Sequence, residues 1–499
     1  MKLPASYYNT LSFIGTLIAG LSLMLIFFMF IISSLMESSS SYLGLILFLA
    51  LPSLLVLGLF LIPLGMWIRI RKSKKDNSPV KGSWFVLDLN KKQHRNATSI
   101  FVVGTVIFLF LTGIGSYELY HYSESVKFCG TICHEVMKPE YVAYQNSPHA
   151  SIACSQCHIG PGAEWFVKAK ITGLYQVYAV LTNNFPTPIP TPIENLRPAR
   201  ETCEQCHWPQ KFYSNSLRTE KHFLTDPANT PWEIQLRMKT GPTHSSQGLK
   251  EGIHWHINPN TQIDYITTDA KREVIPWVRY INKLTGDTLI FNDQNEPLGE
   301  GAMDTLPMRT MDCMDCHNRP SHNYHTPTKF IDDAMSAGKI ASDLPEIKKL
   351  AMEILAKPFE STDSAMKIIE TKVWEFYMVN YPEVFNVSQE KVKQAIVGIQ
   401  ESFNQNVFPE MKANWDSYPD HIGHREFNGC FRCHNDQHQA ANGETISKDC
   451  NLCHSIMMQG NADTLQVARF NESLEFMHPV DIEDAWKETN CSDCHRYMY

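Results

Sequence analysis

All 14 cysteines of this 499-residue chain fall into seven copies of one short pattern, a pair of cysteines followed directly by a histidine. Six copies read Cys-x-x-Cys-His: Cys154/Cys157/His158, Cys203/Cys206/His207, Cys313/Cys316/His317, Cys430/Cys433/His434, Cys450/Cys453/His454 and Cys491/Cys494/His495. The first copy, Cys129/Cys133/His134, has one extra residue between its cysteines. No cysteine is left for a disulfide or a free thiol. Structural zinc needs a full tetrahedral ligand set at each site, and neither zinc nor disulfides explain a histidine after every second cysteine. The pattern is that of covalently attached haem c, in which the thiols add to the vinyl groups and the adjacent imidazole binds the iron from one side. A chain wrapped around seven haems replaces much of its apolar core with cofactor. The fold expected is therefore a mainly α multihaem cytochrome c with much irregular structure.

Three stretches carry no charged residue: 3–36, 42–68 and 96–117. Each exceeds the roughly 20 apolar residues that a helix needs to cross a bilayer. The loop at 37–41 has no Lys or Arg, whereas 69–95 holds Arg69, Arg71, Lys72, Lys74, Lys75, Lys81, Lys91, Lys92 and Arg95. The positive-inside rule places that basic loop in the cytoplasm. Everything after Tyr117 then emerges on the outer face, where covalent haem attachment takes place. The net charge of -8 gives no sign of nucleic-acid binding. Three regions are expected: a membrane anchor at 1–118, a region at 119–330 with the first four haems and an insertion at 208–312, and a region at 331–499 with a helical segment and three haems.

Thirteen histidines lie outside the motifs and supply candidates for the second axial position. Proximity to a motif selects His149, His322, His424 and His438, while His256 and His478 complete a set of six. His254, His325 and His421 are the substitutes. His94 falls on the cytoplasmic side, His121 suits the membrane interface, and His222 and His244 suit the surface. Met137, three residues after His134, offers a thioether ligand for the first haem.

Coarse structure follows from periodicity. Val167, Ile171, Leu174, Tyr178 and Leu181 form one apolar stripe of a helix over 162–184, with Lys168 and Lys170 flanking it. The proline-rich run 185–200 reads as an extended strap. A small β insertion is expected around 254–295, with strands over 262–292 turning at Gly286. His254 and His256 share a face if they lie on a strand. Residues 343–411 read as helical, with a helix over 388–403 capped by Ser388.

The third span, the long first motif, Met137, the Glu-Tyr-x-x-Tyr-x-x-Ser-x-His run ending in His149, the second motif and Lys168/Lys170 together resemble the NapC/NrfH/CymA family of membrane-anchored cytochromes. The later Cys-His-Asn-Arg-Pro-Ser-His and Gly-Cys-Phe-Arg-Cys-His runs resemble a larger subgroup of it. The resemblance implies oxidation of a quinol, menaquinol above all, near the first haem. Lys168 or Lys170 would line the quinol site, and electrons would pass to periplasmic c-type cytochromes or a reductase. It implies an inner-membrane, multi-pass protein of a Gram-negative bacterium, with its haems in the periplasm, as a monomer or homo-oligomer. The family's quinol-site carboxylate is replaced here by Gln176, leaving Glu135, Glu140 and Glu164 as proton acceptors. Two rival readings remain open: a terminal reductase of nitrite, hydroxylamine or a sulfur oxyanion, and a relay subunit without its own quinol site.

Overall fold

The computed structural model describes residues 6–35, 50–75, 88–132, 134–191, 197–242 and 251–496. Cys133, the side chain of His134, His244, the loop at 37–41 and Lys81 lie outside the described residues. The chain forms two compact units, Met1–Met137 with Ala153–Ser155, and Lys138–Ile152 with Gln156–Tyr499.

The first unit is built on helices α1 (Thr10–Leu35), α2 (Leu51–Lys75) and α3 (Lys92–Glu124). Each contains a stretch long and apolar enough to span a membrane: Thr10–Met29, Leu51–Ser73 and His94–Glu124. α1 and α2 pack through small residues, because lipid tails give apolar side chains no reason to prefer protein. Their backbones approach so closely that a Cβ on Gly58 would stand 2.6 Å from the Ala19 nitrogen. The buried Ser12 hydroxyl donates to the Ile62 carbonyl at 2.8 Å. At the end of α3, His121 stacks edge-on against Tyr117 and Tyr120, with ring centres 4.4 and 5.5 Å away, an aromatic girdle as expected at a membrane interface.

The second unit starts within α4 (His134–Gln145) and continues with α5 (Ala163–Leu181). The stripe of α5 is exposed along its length, from Val167 to Leu181. Such a face suits a lipid surface. Of the strap that follows, residues 185–191 have no regular structure, Ala199 and Arg200 open the short helix Ala199–Cys203, and Tyr418 Oη donates to the Ile189 carbonyl at 2.7 Å.

The apolar core of this unit lies among α6 (Pro327–Ser336), α7 (Ile347–Leu355), α8 (Thr362–Asn380) and α9 (Pro382–Asn406). Val392, Ile396, Ile399 and Phe403 face it, as their spacing predicts. The helix does not begin at Ser388: it begins at Pro382 and kinks at Ser388, whose φ of -122° breaks the helical path. Inside the core, the Lys348 ammonium pairs with the Asp332 carboxylate at 2.7 Å, both groups being almost fully buried. Burial raises the Asp332 pKa, but His222 and Lys348 outweigh it and hold the carboxyl below its usual range. His222 is thus a half-buried partner of Asp332, at 3.1 Å, and not an ordinary surface histidine.

Two sheets flank this core. One has the order β1-β2-β8-β9, from Ser216–Phe223, Pro231–Met238, His454–Gly460 and Gln466–Val467. The other has the order β6-β3-β4-β5-β7, from Arg309–Thr310, Thr261–Ile266, Trp277–Asn282, Thr288–Asp293 and His438–Ala440. β3, β4 and β5 are the expected insertion, reversing at Gly286, whose φ is 81°. The division expected at residue 330 is absent: β2 pairs with β8 and β5 with β7, so both flanks of that position form single sheets. The division at 118 is likewise displaced, to Met137.

Candidate functional site

Each of five motifs is set on a short helical turn. The second is Cys154–His158, the fourth Cys313–Cys316 and the seventh Cys491–His495, while the fifth and sixth use the 3₁₀ turns Gly429–Arg432 and Cys450–Leu452. The third begins where the short helix Ala199–Cys203 ends. Residues three apart on a helical turn share a side, so Cys-x-x-Cys presents both thiols together. No two of the described cysteines are joined in a disulfide.

Local hydrogen bonds fix these turns. At the fourth motif Asp312 and Asp315 form a reciprocal cap. The buried Asp315 carboxylate also accepts from Tyr265 Oη at 2.6 Å, Arg309 Nε at 2.6 Å and Arg272 Nη1 at 3.0 Å. At the fifth, a Cβ on Gly429 would run into the Gly423 carbonyl, so only glycine fits there.

The protein does not enclose every expected attachment point. Cys206 and Cys494 are exposed, whereas Cys203 and Cys491, the first cysteines of the same motifs, are half-buried. Cys157 and Cys450 are exposed as well. The reason is local. Cys206 lies past the end of its helix, on a turn closed by its own amide donating to the Cys203 carbonyl at 3.1 Å. Cys494 lies in the last turn of helix before the end of the described chain.

Six motif histidines are each faced by a second imidazole. The ring centres are 6.1 Å apart for His158 and His322, 6.0 Å for His207 and His149, 6.4 Å for His317 and His254, 5.9 Å for His434 and His256, 6.2 Å for His454 and His424, and 6.0 Å for His495 and His478. A metal held between two imidazoles needs bonds of about 2 Å on each side and roughly 1 Å from nitrogen to ring centre, which sums to about 6 Å. Rings packed directly on one another stand closer, as His424 does to Phe431 at 4.2 Å. The donor set, two thiols and two opposed imidazoles, fits haem c at all six places.

For eight of these rings burial favours the neutral form that binds metal. Burial pushes His158, His254, His256, His317, His322, His454 and His495 below the ordinary histidine value, and His424 down to about 4. A cavity of about 280 Å³ beside His256 is lined by the apolar Pro198, Ala199, Ile263 and Met311, by the cations Arg200 and Lys283 and by one anion, Asp312. That lining suits a flat apolar group with acidic edges.

Two expectations about the distal histidines are overturned. His438 faces no motif histidine: it is fully buried, its Nδ1 meets Asn435 Oδ1 at 2.9 Å and its Nε2 meets the Ile275 carbonyl at 2.7 Å. With both nitrogens engaged it is a structural residue, and His254 stands opposite His317 instead. His254 and His256 do not share a strand face. They lie in the 3₁₀ turn Ile253–Ile257, where residues two apart diverge by about two thirds of a turn, and so they address two different motifs. His421 is closed in the same way as His438, with Nδ1 3.2 Å from the Asp315 carbonyl and Nε2 3.0 Å from the Lys271 carbonyl.

The first motif differs. Positions 134 and 137 lie one turn apart on the same side of α4. Met137 therefore stands on the helix that follows the first motif, one turn from it.

Consecutive motifs are neighbours. Cys129 and Cys154 hydrogen-bond through their thiols, as do Cys203 and Cys313. Cys157 acts electrostatically on Cys203, Cys430 and Cys433 on Cys316, Cys430 on Cys453, and Cys450 on Cys491. The series runs from the first motif to the seventh without a break.

Of the expected quinol-site groups, Lys168 Nζ lies 4.8 Å from the centre of the Trp165 ring and Lys170 Nζ 4.9 Å from that of Phe166. Glu140 is drawn elsewhere: its carboxylate takes Arg319 Nη2 and Tyr324 Oη, each at 3.1 Å, and lies 3.1 Å from Nδ1 of His322.

Helices able to span a membrane, joined to a unit with histidine-paired Cys-x-x-Cys-His sites, define a membrane-anchored multihaem c-type cytochrome that transfers electrons. The chain belongs to the NapC/NirT cytochrome c family, whose N-terminal region matches residues 90–198. It is 42% identical to the cytochrome c-type protein ImcH of Geobacter sulfurreducens over 497 residues, 99% of this chain and 96% of that one. No solved structure matches it.

Proposed function

We propose that the chain oxidises a quinol of the inner membrane and delivers the electrons along seven sites to a periplasmic c-type cytochrome or reductase. The observation that carries this reading is the set of facing imidazoles, 5.9–6.4 Å apart, on motifs that adjoin one another in chain order. The proximal ligands are His134, His158, His207, His317, His434, His454 and His495. The distal ones are His322, His149, His254, His256, His424 and His478, in the order of the second to seventh sites. Haem c, bound there, supplies a one-electron couple at each position.

A quinol loses a pair of electrons and a pair of protons. The exposed apolar stripe of α5 suits the membrane surface from which it would come. Lys168 or Lys170 would hold a quinol oxygen, and Glu164, one turn before Lys168, or Glu135 would take a proton. Glu140 is already committed to Arg319, Tyr324 and His322 and orients the second site's distal ligand. The nine Lys and Arg residues at 69–95 support a cytoplasmic loop and hence a periplasmic haem unit.

A terminal reductase needs an open iron, and six of the sites have an imidazole on each side. The relay reading draws on one observation: both lysines lie over aromatic rings, where their role is packing. The test is anaerobic mixing of the detergent-solubilised protein with a menaquinol analogue, followed at the haem α-band. Rapid reduction, slowed at least tenfold in Lys168→Ala or Lys170→Ala, is expected. Full reduction by dithionite with none by the quinol would make the chain a relay fed by another membrane protein.

A further inference from the structure

The sixth site differs from the others in the groups that surround its ligand pair. At five sites the distal histidine directs Nδ1 at a backbone carbonyl: His322 at Glu140, 3.0 Å; His149 at Pro320, 3.3 Å; His254 at Thr240, 2.8 Å; His256 at Ile253, 2.7 Å; and His478 at Val480, 2.7 Å. At the fifth site the motif histidine does the same, His434 toward Ser447 at 2.9 Å. An Nδ1–H given to a carbonyl fixes the tautomer and makes the ring a stronger donor, which favours the oxidised iron. At the sixth site Nδ1 of His454 is buried with no hydrogen-bond partner among the described residues, and Nδ1 of His424 is buried and meets no group beyond its own backbone. The His424 ring is held instead by Phe431, stacked on it within 10°.

Charge acts in the same direction. Lys239 lies against the motif, its amide donating to the Cys453 carbonyl at 2.8 Å. Lys448 Nζ lies 5.0 Å from the centre of the Phe431 ring that is stacked on His424. Lys239 Nζ donates to the Asn451 carbonyl, and Lys448 Nζ to Asn490 Oδ1 at 3.1 Å. Both acceptors are neutral, so neither positive charge is cancelled by these contacts. Positive charge beside an iron centre favours the state with the extra electron.

We propose that the sixth site, Cys450/Cys453/His454 with His424, has the most positive reduction potential of the six histidine-paired sites, an electron sink late in the chain positioned by Lys239 and by the withheld Nδ1 hydrogen bonds. This rests on the seven-haem reading above.

The experiment is a potentiometric titration of the purified holoprotein followed by electron paramagnetic resonance, with haem counted per chain in the same sample. Nearly parallel imidazole planes give a rhombic low-spin ferric signal, and crossed planes give a strongly axial one. The planes meet at 23° at the sixth site and 9° at the fourth, against 79° and 76° at the third and fifth. Among the bis-imidazole signals, a rhombic one is expected to vanish first on reduction. Lys239→Gln should shift that couple alone to lower potential, and Lys239→Arg should leave it in place. An axial signal vanishing first, or an unmoved first couple in Lys239→Gln, in a chain that counts seven haems would overturn the tuning and leave the haem reading intact. Absence of haem from Cys450 and Cys453 would overturn both.

Discussion

His254 and His438 are two histidines of similar sequence credentials with opposite fates. His438 lies four residues past a motif, and His254 is more than forty residues from either neighbouring motif. Distance along the chain selects the wrong one, because it limits reach but not direction. What decides is the backbone: β7 locks both nitrogens of His438, and the 3₁₀ turn around Trp255 sends His254 to the fourth site. His254→Ala is therefore expected to turn one haem in seven from low-spin to high-spin, read from the visible spectrum of the oxidised protein. His438→Ala should leave every haem low-spin and lower stability by about 1–3 kcal/mol, since it leaves two buried partners unpaired. A low-spin loss in His438→Ala would reverse the assignment. The cysteines and proximal histidines are legible because haem attachment is written into adjacent residues. How far the protein covers each thiol is not, and the exposed Cys206 and Cys494 differ from Cys203 and Cys491 only through the turns that carry them. Of the six histidines that face a motif imidazole, five are among those that proximity or position selects, and the sixth, His254, needs a fold.

At the scale of elements, legibility follows periodicity. The α5 stripe, the core face of α9 and the three-strand insertion all repeat at helix or strand spacing, and all are present. β1 and β2 escape notice because Ser216–Phe223 and Pro231–Met238 mix Arg, Glu and Lys into the alternation, and β1 is an edge strand exposed over most of its length. Their partner β8 comes more than 200 residues later, a pairing that no local pattern encodes. The buried Lys348–Asp332 pair likewise joins α6 and α7, and His222 and the Phe223 amide tie β1 to the same carboxylate. Lys348→Met should destabilise the second unit by about 3–5 kcal/mol, because Asp332 is then left buried without its main counter-charge. Thermal unfolding followed by far-ultraviolet circular dichroism measures this. An unchanged midpoint would mean that His222 alone satisfies Asp332.

For the whole molecule, the membrane segment and the haem unit answer to different physics. α1 and α2 meet through glycine, alanine and serine, where lipid makes close backbone approach the means of adhesion. The second unit has its apolar core in α6 to α9 and spends much of the rest of its chain holding cofactor, with its last four motifs and the pair His254 and His256 set on short turns rather than on long elements. That distribution explains why a chain with recognisable haem motifs gives no sign in its sequence of where the units divide: sheets close across position 330 through strands contributed from both sides. The most direct test of the account is intact mass of the purified holoprotein together with near-infrared magnetic circular dichroism of its oxidised form. The account predicts a mass increment of seven haems, with six of them showing the bis-histidine charge-transfer band and the first, beside Met137, not contributing to it. Fewer than seven haems, or fewer than six bis-histidine sites, would contradict it.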